Sequence, residues 1–134
     1  MVQFSGMEPW PENIEVIECV VDGVVVDLHN DAALTSIEIL CRPVVELVLR
    51  FTHDDGRRAA LTFGAVTDLR FVQDERDGTS EFASGWNPER DETFYGAEFH
   101  GRGGEVGEFT VNTITGTLTF ACSRVAFEIQ PASR

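Results

Sequence analysis

Val44 to Ala65 reads VVELVLRFTHDDGRRAALTFGA, two alternating arms around a polar centre. In the first arm Val45, Leu47, Leu49 and Phe51 alternate with Glu46, Val48, Arg50 and Thr52. In the second, Ala59, Leu61, Phe63 and Ala65 alternate with Arg58, Ala60 and Thr62. A period of two marks a strand with one buried and one solvated face. Parity then sets the loop length, because a slip of one residue sends every side chain to the opposite face. A two-residue Asp55-Gly56 turn sets Leu49 against Thr62 and Arg50 against Leu61, which mixes the faces. A three-residue loop, Asp54-Asp55-Gly56, pairs Phe51 with Ala59, Leu49 with Leu61, Leu47 with Phe63 and Val45 with Ala65. Gly56 takes the left-handed position of a type I turn plus bulge. Each large side chain on the shared face contributes about 1.5–3 kcal/mol by burial, so this hairpin anchors a core.

Asn13 to Leu28 reads as a second hairpin turning at Asp22-Gly23, a two-residue turn of the I′ type. Val21 then opposes Val24, Cys19 opposes Val26 and Ile17 opposes Leu28, while Glu18 and Asp27 fall together on a solvated face. Asp31 to Leu34 forms one helical turn or a bend, followed by a strand from Ser36 to Cys41 with Ile37, Ile39 and Cys41 on one side. After a bend, Val66 to Val72 forms a short strand. Phe94 to His100 alternates with Tyr95, Ala97 and Phe99 on one face. Strands over 108–113 and 117–122 join across Thr115-Gly116, setting Val111 opposite Phe120 and Phe109 opposite Cys122. Val125, Phe127 and Ile129 alternate in a last strand. Such a series of short strands and glycine turns predicts a single all-β domain over residues 1–134, an antiparallel β-sandwich or partly open barrel of about eight to ten strands. Residues 1–12 read as an N-terminal extension and 131–134 as a tail.

The chain has 134 residues, enough to bury roughly two-thirds of its unfolded surface without a metal or disulfide staple. No basic and apolar leader opens it, and no apolar run approaches the roughly 20 residues of a membrane span. These features predict a cytoplasmic protein. Cys19, Cys41 and Cys122 lie far apart on apolar strands, which predicts three buried, reduced thiols. The net charge is −13, and all ten basic residues are arginine. Such a chain is repelled by nucleic acid and by anionic membrane surfaces, and a basic protein is the partner its charge fits.

Signatures of catalysis are absent. There is no G-x-S-x-G elbow, no phosphate loop after the glycines of 101–107, and no H-E-x-x-H or EF-hand spacing. His29, His53 and His100 stand at strand ends or turns, none within five residues of another, so no metal or cofactor site is expected. His29 and His53 each precede carboxylates, and Glu98 with His100 would be the first candidates for a polar site in a barrel interior.

The segment 73–93, QDERDGTSEFASGWNPERDET, is a long acidic loop with two aromatic residues. A loop of this length in a compact domain is either functional, partly helical or disordered. Asp74, Glu75 and Asp77 supply long-range attraction for a basic partner; Phe82 and Trp86 either fold back onto the barrel or sheet or, exposed, supply anchors of the kind that dominate binding energy.

The runs LHNDAALTSI (residues 28–37) and LTFGAVTDL (residues 61–69) resemble small bacterial all-β proteins of uncharacterised function, some of them immunity proteins encoded beside polymorphic toxins. The likeness spans about residues 14–72 and implies a cytosolic, antitoxin-like binder without catalytic activity. The expected function is therefore a non-enzymatic protein-binding module. The alternative is a small-molecule binder using a barrel or sandwich interior, and the third reading is an enzyme with an unrecognised His/carboxylate site.

Overall fold

The computed structural model describes residues 1–73, 93–101 and 104–131, and the whole of this region is β-strand or irregular. Twelve strands form: β1 (Gln3–Ser5), β2 (Glu15–Val16), β3 (Glu18–Val21), β4 (Val24–Asp27), β5 (Ala32–Leu40), β6 (Glu46–His53), β7 (Arg58–Gly64), β8 (Thr67–Gln73), β9 (Phe94–Gly101), β10 (Gly107–Thr113), β11 (Gly116–Cys122) and β12 (Arg124–Ile129). They make one sheet of order β1-β12-β7-β6-β5, a second of order β2-β9-β10-β11-β8, and a separate β3-β4 ribbon. Neither five-stranded sheet closes on itself, and the strand number exceeds the expected eight to ten.

The β6-β7 hairpin has the register that parity requires: Phe51 pairs Ala59, Leu49 pairs Leu61 and Leu47 pairs Phe63. Gly56 sits at φ 90° and donates to the His53 carbonyl at 2.8 Å. The pairing ends one step early, however. Ala65 turns to φ 57° and Val66, not Ala65, bonds the Val45 carbonyl, which frees the chain to cross into the second sheet as β8.

At Asp22-Gly23 both residues have positive φ, 51° and 80°, and Cys19 pairs Val26 as expected of a type I′ turn. Glu15–Val16 departs from that hairpin and pairs instead with β9. No helical turn forms at 31–34. Strand β5 already runs there, with a bulge between Leu34 and Ser36 that sets Leu34 against Phe51 and Ile37 against Leu49, so that residues three apart face the same core. Beyond it the sheet edge overhangs the core, leaving Ile39 and Cys41 exposed.

A second bulge corrects β9. Asn112 pairs Gly96 and Thr113 pairs Phe94, so Tyr95 is the additional residue and faces out. Gly96 accommodates this at φ 135°. Phe94 therefore takes the inward position expected of Tyr95. The β10-β11 turn is also displaced: Phe109 pairs Phe120 and Val111 pairs Leu118, placing Ile114-Thr115 in the loop. The shift is two residues, so the same side chains stay inside. Thr113 closes the turn, its hydroxyl donating to the Gly116 carbonyl at 3.0 Å.

Residues 1–12 belong to the fold. β1 pairs in parallel with β12, and Val2 and Trp10 are buried. One apolar core spans the two sheets. Phe63 of the first sheet meets Phe109 and Phe120 of the second at ring separations of 5.4 and 4.9 Å, and Trp10 packs against Phe63 and Phe109. Large buried aromatics of this kind carry much of the stabilisation.

Candidate functional site

Asp74, Glu75, Asp77, Phe82 and Trp86 lie outside the described residues. The segment's two flanks are described: Gln73 pairs Gly116, and the Thr93 carbonyl accepts the Ile114 N–H at 3.1 Å. Both ends thus sit beside the 114–115 turn.

His29 closes a turn with Asp27, two residues before it, and His53 closes one with Asp55, two residues after it. Burial pushes the Asp27 carboxyl up, but the backbone and side-chain hydrogen bonds from Asn30, the His29 N–H and the His29 ring outweigh it and hold the group below its ordinary range. The distances are 2.8 Å from both Asn30 donors and 2.9 Å from His29 N. His29 Nδ1 is hydrogen-bonded to the Phe94 carbonyl at 2.9 Å, which ties this turn to the second sheet. At the β6-β7 loop, Asp55 accepts the backbone N–H and Nε of Arg57, and these bonds hold its carboxyl low. His53 stands 3.1 Å from the same carboxylate. No group of three His, Cys, Asp or Glu side chains among the described residues is placed to hold a metal.

Glu98 and His100 do come together, at 2.7 Å, but on the outer face of the second sheet and not in an interior. The interior is apolar: Thr113 is the one buried polar side chain among the described residues, and it is spent on its turn. Two open surface grooves lie among the described residues, one of about 640 Å³ beside the N-terminal strand and one of about 360 Å³ beside Trp10.

The outer face of the second sheet carries a row of polar and charged side chains. Its register sets Glu15, Glu98, Thr110, Thr119 and Arg70 in one row across all five strands. Two carboxylates stand side by side at one end of that row and the cation stands at the other. Glu15 lies across Gly96, where a Cβ would come within 2.7 Å of its Cγ, and accepts from Asn112 Nδ2 at 3.4 Å. Glu12 accepts the Gly101 N–H at 2.7 Å, and Asn13 Oδ1 meets His100 Nδ1 at 2.6 Å. The chain over 12–15 thereby holds an acidic ridge against β9. Sequence reasoning missed this ridge because a two-residue strand has no periodicity, and its partner lies more than 80 positions away.

Comparison of the chain with protein-family models, with curated proteins and with solved structures finds no match. No helix among the described residues is long and apolar enough to cross a membrane.

Proposed function

We propose that the chain is a non-enzymatic β-sandwich module that binds a basic protein, in the manner of an immunity protein. The observation that carries this reading is the Glu15–Glu98 end of the cross-sheet row, extended by Glu12 on an outer sheet face. Neighbouring like charges on a strand pair disfavour the free protein slightly. A cationic surface relieves that repulsion, and the net charge of −13 steers such a surface in from a distance. The likeness to immunity proteins supplies the class of partner, and the carboxylates of 74–77 with Phe82 and Trp86 add attraction and anchoring from sequence.

Co-expression with the product of the adjoining gene tests this. A stoichiometric complex that weakens with salt and suppresses the partner's activity supports the reading. In that complex, neutralising Glu15 and Glu98 together, or Asp74, Glu75 and Asp77 together, slows association, while Trp86→Ala speeds dissociation. Absence of a complex with any neighbouring gene product, or a complex indifferent to salt and to both sets of neutralisations, overturns it.

A further inference from the structure

Beside the acidic ridge runs a groove of about 360 Å³ between residues 8–14 and strands β2 and β3. Glu8 N donates to the Val20 carbonyl at 2.8 Å and Trp10 Nε1 donates to the Glu18 carbonyl at 3.0 Å, so the N-terminal segment is fastened along β3. Asn13 N, bonded to the Phe99 carbonyl at 2.8 Å, fastens its other end to β9. Pro9, Pro11, Ile14 and Ile17 supply apolar lining. Ile14, which follows the fastened Asn13 and leads into β2, is 54% exposed. Glu8, Glu15 and Glu18 are its charged lining residues, and no basic residue takes part.

We infer that this groove receives an arginine or lysine side chain, with an apolar neighbour, from an extended segment of the basic protein partner; this rests on the protein-binding reading above. The groove's chemistry has the two halves of such a side chain. A long methylene stem needs apolar walls, and its charged head needs carboxylates at the end of them. The volume is at the lower end of the range for ligand sites, enough for one long side chain and part of its neighbour and too small for a folded element. Proline walls and the three anchoring hydrogen bonds keep the groove formed before binding, which lowers the ordering entropy. Glu15 both lines this groove and stands in the ridge, so a segment seated here continues onto the acidic row.

The test titrates the isotopically labelled full chain with a capped Ala-Leu-Arg-Arg-Leu-Ala peptide, its norleucine counterpart and spermidine, following backbone amide resonances. The arginine peptide is expected to shift resonances within residues 8–20, to bind more tightly than either control, and to weaken with salt. Glu8→Gln with Glu18→Gln lowers its affinity by about tenfold at low salt, as loss of complementary charge predicts. Ile14→Ser lowers it at low and high salt alike. Unchanged melting temperatures in these variants show that the fold is intact. Shifts centred on Glu98 and not on 8–20, spermidine or the norleucine peptide binding as tightly, or indifference to all variants each overturn the groove assignment. If a full-length basic partner still binds while Ile14→Ser and the double glutamine variant have no effect, the groove assignment fails and the protein-binding reading survives.

Discussion

Ser123 donates its backbone N–H to the carbonyl of Gly64 at 3.2 Å, at the level where two long antiparallel segments change sheets together. β7 continues into β8 across Ala65-Val66, and β11 continues into β12 across Ser123. Arg124 pairs Gly64 on one side of this corner and Ala121 pairs Thr67 on the other. One bent strand pair thus runs through both sheets, as β7-β12 in the first and β8-β11 in the second, and holds them over one core.

Glycines near these strand pairs respond differently to a methyl group. At Gly64 an added Cβ would stand 2.8 Å from Arg124 Nε and 2.9 Å from Nη2, the far end of a side chain that can swing away. At Gly6 it would strike the backbone carbonyl of Phe127, and φ is already 72°. Gly64→Ala is expected to be nearly neutral, and Gly6→Ala to destabilise by about 1–3 kcal/mol by forcing a strained conformation. Denaturant midpoints of the two variants measure the contrast.

Leu49 has no exposed surface and pairs with Leu61, whereas Arg50, its neighbour, meets Glu38 at 2.7 Å in solvent. Leu49→Ala should destabilise by about 2–5 kcal/mol through the cavity it leaves. Arg50→Ala should change stability by less than about 1 kcal/mol, the range of an exposed ion pair. Equilibrium unfolding of both variants checks the register, since an inverted register would reverse their order.

Parity made the inner faces of β6, β7 and β12 legible, because a strand buried on one side repeats its signal every second residue. It could not place the β10-β11 turn, since a shift of two residues preserves every face. The choice fell to the hydroxyl of Thr113, which closes the turn on Gly116. Bulges defeat parity in another way: Phe94 and Tyr95 are both aromatic, so alternation favours whichever extends the run. Gly96 was the available sign, because a glycine within a strand marks a bulge or a close approach. The acidic ridge was invisible because it depends on pairing between residues far apart in the chain.

The three thiols divide two to one. Burial pushes Cys19 up to about 12, with the Glu18 charge adding to it, and burial pushes Cys122 up to about 12 against the backbone bond and charge of Arg124. Cys41 is exposed, contrary to the expectation of three buried thiols, because β5 overhangs the core at that end. Native protein should therefore give one fast equivalent with an aromatic disulfide reagent and two slow ones, since only the accessible thiolate attacks. Cys41→Ser should abolish the fast phase alone, and three equivalents should appear after unfolding of the parent chain.

Asp27 predicts an acid limb in stability. Its folded carboxyl is held below the ordinary value of 3.8 by the donors of Asn30 and His29, against the opposing effect of burial. A carboxyl depressed by folding contributes stability that is fully present above its unfolded value and is lost as pH falls through the folded value. The contribution is thus constant from neutral pH down to about pH 5 and declines below that. Asp27→Asn keeps one acceptor oxygen but neither the charge nor the second acceptor, so it should destabilise by about 1–2 kcal/mol at neutral pH, the scale of a charged hydrogen bond at a partly exposed site. The gap between the two proteins should narrow as pH falls and close near the bottom of the carboxylate range. Glu38 and Asp55 are also held low by Arg50 and Arg57 respectively, but both side chains reach solvent, at 38% and 45% exposure, so the curve for Asp27→Asn should retain only a shallow acid slope. Urea unfolding of both proteins at a series of pH values measures this directly, and a gap that stays constant down to acid pH would mean that the Asp27 turn contributes through shape and not through charge.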